Sequence, residues 1–235
     1  IIGRNYHSTN QVKNCYNTGS VTGAFSNEIA GGGDGSVISC LYSTQKELDS
    51  WAAAYYLNGQ QMDGVWSYVE GEYPSFGTLE PPSDWSVIGR GIEAGLIKEG
   101  ALTIGNGSAS SKYSIGSAEQ LAAFAVKVNT GNPKNTSLGT AICVSLTKNI
   151  DLTGAKYNGT FSNPIPWIPI GNETNIYKGA FEGNGKIISN MKVEQEGYGG
   201  LFGCAGGGAS IRCLGIDATC SVKTVATLSG DDGNG

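Results

Sequence analysis

Glu70 and Glu72 stand two positions apart, and on an extended strand that spacing points both carboxylates to one face. Glycan cleavage asks for such a pair, one group as general acid and the other as base or nucleophile. No cleft-forming pattern surrounds them, so they read as solvated charges. His7, the one histidine, titrates near neutral pH, but no Ser or Cys at a recognisable motif accompanies it. The aromatic residues offer a different chemistry. Trp51, Trp66, Tyr68 and Trp85 are the candidates for stacking on a sugar ring, set against the plainer reading that stacked aromatics fill a core.

Gly89-Arg90-Gly91-Ile92-Glu93-Ala94-Gly95 approximates a dinucleotide-binding loop. Its third glycine comes one position late and no βαβ pattern surrounds it, so nucleotide binding is not expected. The six cysteines include no Cys-x-x-Cys pair, which argues against zinc. No metal and no cofactor are expected. Cys15 and Cys40 fall at equivalent places in similar segments and are expected to lie about one strand spacing apart. That distance allows either a ladder of thiols or a Cys15–Cys40 disulfide in an oxidising compartment.

The elements that must position these groups are mostly short strands. With 37 glycines in 235 residues and only 15% charged residues, the chain does not read as a helical bundle. A formal charge of -5 with no basic cluster argues against nucleic acid, whose binding rests on clustered Lys and Arg. No run approaches the ~18 apolar residues of a membrane span. Two helices are expected, over residues 45–58 and 117–130; Asn58-Gly59 stops the first, and Ser117 opens the second in a capping-box spacing with Gln120. Pro81-Pro82-Ser83-Asp84 marks a boundary.

An internal echo organises the rest. Ala30-Gly31-Gly32-Gly33 runs into Val37-Ile38-Ser39-Cys40-Leu41, and Ala205-Gly206-Gly207-Gly208 runs into Ile211-Arg212-Cys213-Leu214. Val12-Lys13-Asn14-Cys15-Tyr16 repeats the apolar half, at a spacing within the roughly 20–30 residues of one solenoid repeat. The expected fold is therefore all-β, a right-handed parallel β-helix with short helical caps. Its expected parts are closing coils in 1–44, a helix plus aromatic plug in 45–80, a linker in 81–112, and an opening cap with the first coils in 113–235.

Gly200-Leu201-Phe202-Gly203, Trp167-Ile168-Pro169-Ile170-Gly171, Phe181-Glu182-Gly183-Asn184-Gly185 and Asn14-Cys15-Tyr16-Asn17-Thr18-Gly19-Ser20-Val21 together resemble the GLUG-motif β-helix regions of clostridial and other bacterial surface proteins. Relative to that family the order looks rotated, with closing coils first and opening coils last. The resemblance implies a non-enzymatic structural or adhesive module, extracellular at a bacterial surface. The rotated order adds a further expectation: a filament subunit joining head to tail through Ile1, Ile2, Val12, Val21, Leu201, Phe202, Val222, Val225 and Leu228. Partners would be a second copy, a host surface protein or a glycan. The alternative is a carbohydrate-binding or carbohydrate-cleaving β-helix.

Overall fold

The computed structural model describes residues 11–18, 36–38, 40–42, 48–159 and 163–225, with only the backbone of Val37, Tyr42 and Val225. The expectations placed on Ile1, Ile2, His7, Val21 and Leu228 lie outside the described residues. The chain divides into two compact units. One takes its described residues from Ile1–Ser83, Arg90–Glu99 and Ala155–Asn163, the other from Asp84–Gly89, Gly100–Gly154 and Pro164–Gly235.

The first unit holds β1 (Gln11–Lys13), β2 (Tyr16–Asn17), β3 (Ser36–Ile38), β4 (Leu41–Tyr42), α1 (Trp51–Leu57), β5 (Trp66–Ser67) and β6 (Ser75–Phe76). β1 pairs in parallel with β3, Val12 opposite Val37, and β2 pairs in parallel with β4. The echoed segments are thus neighbours. β5 and β6 form an antiparallel hairpin. Helix α1 starts where the Ser50 hydroxyl accepts the Ala53 N–H, and it buries Trp51, Ala52, Ala53, Ala54, Tyr55 and Leu57, so it is a core element.

Helix α2 (Trp85–Glu93) begins in the second unit and ends in the first. Its start is held by Asp84, whose Oδ1 accepts from the Ser86 N–H and hydroxyl. Buried Trp85, Ile88 and Ile92 recur at helical spacing. The two interior glycines that read as a loop have a packing role instead. A Cβ on Gly89 would lie 2.6 Å from the Ala122 carbonyl oxygen, and one on Gly91 2.6 Å from the Ala52 methyl, so each lets the helix approach a neighbour that any larger residue would push away.

The second unit continues with β7 (Tyr113–Ile115), α3 (Ala118–Asn129), β8 (Val144–Leu146), β9 (Ile150–Asp151), β10 (Ala180–Ser189), β11 (Lys192–Glu196), β12 (Ser210–Ile216) and β13 (Ser221–Val225). Ser117 caps α3 by accepting the Gln120 N–H, and Gln120 returns a bond from the Gly116 N–H at 2.7 Å. The main sheet runs β12-β10-β8-β7, with β9 also on β10, all parallel. β11 and β13 make a separate parallel pair. Phe124 of α3 packs against Tyr177 and Phe181 at 5.7 and 6.1 Å between ring centres.

These elements correct the all-β, solenoid expectation. The described residues form a mixed α/β fold of three helices and five small, mostly parallel sheets, and no solenoid or closed sheet is found. The repeat and β-helix readings go with it. The physical reason lies in the strand pairing and in the helices. Echoed segments do pair, but β1 to β4 form only two separate two-stranded sheets that no other described strand joins, while α1 and α3 are largely buried helices.

Asp151 at the end of β9 accepts from the Thr153 N–H, the Thr153 hydroxyl and the Asn190 amide. Partial burial pushes its carboxyl up, but these three bonds outweigh it and hold the group below its ordinary value of 3.8. A depressed carboxyl stabilises the fold above its ordinary pKa, and the contribution disappears as pH falls through the lowered one. Asp151→Asn is therefore expected to cost well under about 1 kcal/mol at neutral pH, because the side chain is exposed. It should also flatten the loss of stability in urea titrations as pH falls below the ordinary carboxylate value of 3.8. An unchanged acid slope would contradict this.

Candidate functional site: an open strand edge

Strand β12 is the last of its sheet, and its far edge has no neighbour among the described residues. Each residue of an extended strand carries a donor and an acceptor, so such an edge presents a row of groups able to pair with another backbone. Opposite β10, Phe181 faces Ile211, Glu182 faces Arg212, Lys186 faces Leu214 and Ile188 faces Ile216. β13 extends the same situation. It pairs with β11 from Ser221 opposite Lys192 to Val225 opposite Glu196, and its other edge is likewise unpaired among the described residues.

Apolar side chains remain uncovered along both strands: Ile211 is 41% exposed, Ile216 48% and Val222 49%. Contrast the strand beneath, where Phe181 and Ile188 are fully buried. Midway along β12 the chain kinks at Cys213, which takes a left-handed backbone with φ 54, as Asn184 does in β10 with φ 51. The kinks fit closely, since a Cβ on Gly183 would lie 2.4 Å from the Cys213 carbonyl oxygen. Beside the kink Arg212 Nε donates to Glu182 Oε2 at 2.7 Å. That bond, with the Cys213 thiol beside it, holds the Glu182 carboxyl below the usual carboxylate range.

Sequence reasoning placed nine residues at an assembly interface, and the structure distributes them. Val222 lies on the open edge strand, and Val225 ends the same strand. Leu201 is buried, and the half-buried Phe202 packs edge-on to Phe181 at 5.2 Å and near Tyr177 at 5.3 Å, so both serve the interior of the unit. Val12 is buried in β1. Ile211 and Ile216 were missed; their apolar character at alternate faces of a terminal strand was the available signal, but only the absence of a further strand exposes them.

The aromatic candidates also separate. Trp51 and Trp85 are 4% and 1% exposed, and their indole N–H groups donate to the carbonyls of Glu80 and Leu152; neither presents a ring face to a ligand. Trp66 is half-buried and donates to the Asn14 carbonyl. Its ring stacks on Phe76 at 4.6 Å with Tyr16 edge-on at 5.3 Å, while the Tyr68 hydroxyl accepts from the Gly71 N–H. Phe76 at 78% and Tyr73 at 51% are the exposed rings of this hairpin.

Cys15 and Cys40 are free thiols packed with Val12. Cys15 donates to the Lys13 carbonyl at 2.9 Å, and Cys40 to the Ile38 carbonyl at 3.2 Å. Burial pushes the Cys40 thiol up, and its neighbour Cys15 adds to that rise while backbone contacts oppose it. Among the described residues no group of three or more His, Cys, Asp or Glu could hold a metal ion. No described helix is long and apolar enough to cross a membrane.

Comparison with family models, curated proteins and solved structures gives no match. The GLUG resemblance, and with it the adhesin and filament readings, therefore gains no support from any relative, and the fold described above does not supply the β-helix on which it rested.

Proposed function

We propose that this protein is a non-enzymatic structural module that receives an extended backbone on the open edge of β12 and β13. The carrying observation is the edge itself: a seven-residue parallel strand with uncovered Ile211 and Ile216, continued by Val222 on β13. Strand addition gains affinity from main-chain pairing and selectivity from alternate side chains. The exposed side chains of Ile211 and Ile216 are what a partner strand would cover. A synthetic peptide copying Ser210–Ile216 serves as probe. Added at millimolar concentration, it should slow hydrogen exchange at β12 amides and leave those of α3 unchanged. Unaltered exchange in β12 would end this reading.

A second reading, carbohydrate binding, draws on the β5–β6 hairpin. Phe76 stacked on Trp66, with exposed Tyr73 near Tyr16 at 6.4 Å, offers ring faces of the kind that sugars stack on, and Glu70 and Glu72 are exposed in the same loop. Titration with soluble chitin and β-glucan oligosaccharides should shift tryptophan fluorescence in the wild type and not in Phe76→Ala. No shift with either sugar would remove this reading.

A further inference from the structure

Resting on the strand-addition reading, we infer that the backbone received by β12 is the β1–β2 segment of a second copy of this chain. The two edges share a shape. β12 kinks at Cys213, φ 54, after Ile211-Arg212; β1 leads through Val12-Lys13 into Asn14, φ 52, before β2 begins at Tyr16. Left-handed backbone is uncommon away from glycine. An apolar residue, a cation and then a left-handed residue therefore recur in the same order on two strands, and two such strands laid side by side keep their pairing through the kink. In β10, by contrast, the left-handed residue is Asn184, and the pairing with β12 shifts register between Glu182 and Lys186.

The two strands also differ in which edge they leave open. β12 is the later strand of its parallel pair with β10, whereas β1 is the earlier strand of its parallel pair with β3. Parallel crossovers are right-handed in nearly all proteins, so the later strand of one pair exposes the edge that the earlier strand of the other requires. Among the described residues β1 pairs only with β3. Two copies of β12 offer the same edge and would pair with each other only antiparallel, about a two-fold axis, whereas β1 meets that edge in parallel. The contact is heterologous, joining different surfaces of the two copies.

In this register Val12 lies beside Ile211, Lys13 beside Arg212, and Asn14 beside Cys213. The cations are adjacent, with Glu182 already engaged by Arg212. Like charges repel at low ionic strength and are screened by salt. Association is accordingly weakest at low salt, and Lys13→Glu reverses the sign of the contact.

Sedimentation velocity on the full chain across a concentration series tests this directly. Masses in multiples of 24.3 kDa are expected, growing with added salt. Lys13→Glu should tighten association about three- to tenfold. Ile216→Lys, at a side chain already 48% exposed, should weaken it without disturbing the monomer fold. Register is read by Asn14→Cys: parallel neighbours stand about 4.8 Å apart, within disulfide range. Oxidation with diamide should then link that thiol to Cys213 of a second copy, identified as a cross-linked peptide by mass spectrometry. If the Ser210–Ile216 peptide protects β12 while the chain stays monomeric at all concentrations and salts, the edge reading stands and this inference fails. A cross-link from the introduced thiol to another cysteine, or weaker association of Lys13→Glu, overturns it as well.

Discussion

Trp85→Ala is expected to remove about 3–5 kcal/mol of folding stability, seen as a fall in the urea midpoint with little change in slope. The indole is 1% exposed, so truncation returns a large apolar surface to the unfolded balance and leaves a void. The surroundings are tightly filled: the gap between Trp85, Ala122, Ala125, Val126 and Trp167 is only about 10 Å³, and the rigid α3 backbone limits collapse. Truncation also strands the Leu152 carbonyl, which accepts the indole N–H at 3.1 Å, and a buried acceptor left without its donor adds about 1–3 kcal/mol. Trp85→Phe separates the two contributions, since it keeps most of the ring and loses only the donor. A loss below about 1 kcal/mol in the alanine variant would mean that this packing does not hold the unit together.

Gly179→Ala is expected to cost about 3 kcal/mol, at the upper end for overpacking, although it adds one methyl group to a coil position just before β10. The added Cβ would sit 1.9 Å from the Ile142 carbonyl oxygen and 2.6 Å from its carbon. These are backbone atoms, and they cannot swing aside as a side chain can. The same carbonyl accepts the buried Tyr177 hydroxyl at 3.0 Å, and Gly179 itself accepts the Ser210 N–H at 3.0 Å. Moving either segment therefore strains a hydrogen bond on its side of the clash. Burial around that hydroxyl pushes the Tyr177 phenol far above its usual range, with Cys143 adding to it, in keeping with a tightly enclosed contact. Gly185→Ala provides the comparison. Gly185 has φ +70 and nothing within 4 Å of its added Cβ, so the variant bears only left-handed strain of about 1–2 kcal/mol. Equal losses in the two variants, measured by urea unfolding, would show that close approach is not what Gly179 provides.

Both positions show how a residue legible as a type becomes specific only in three dimensions. Tryptophan 85 read as a ring that could stack on sugar or fill a core, and α2, which carries it, was not expected because Gly89 and Gly91 look like loop residues. The close approach of Ala122 to Gly89 and of Ala52 to Gly91 explains them. Neither contact leaves a trace in local sequence, because the partners come from distant segments.

What the sequence by itself determined was local. Ser117 and the apolar face after it specify α3 through a side-chain cap that acts within three residues, and the apolar run before Asn58-Gly59 specifies α1, although that helix runs Trp51–Leu57, with residues 48–50 outside it, where 45–58 was expected. The echo of Val12 in Val37 specifies a parallel pair, realised in β1 and β3. The tertiary structure alone decided how far such pairing extends and where it stops. Five small sheets and helices buried in the core replaced the expected stack, Leu201 and Phe202 went inward, and Ile211, Ile216 and Val222 were left on an open edge. The physical reason is range: caps, turns and paired repeats follow from neighbours along the chain, whereas burial and edge exposure depend on which distant segments compete for the same apolar surface.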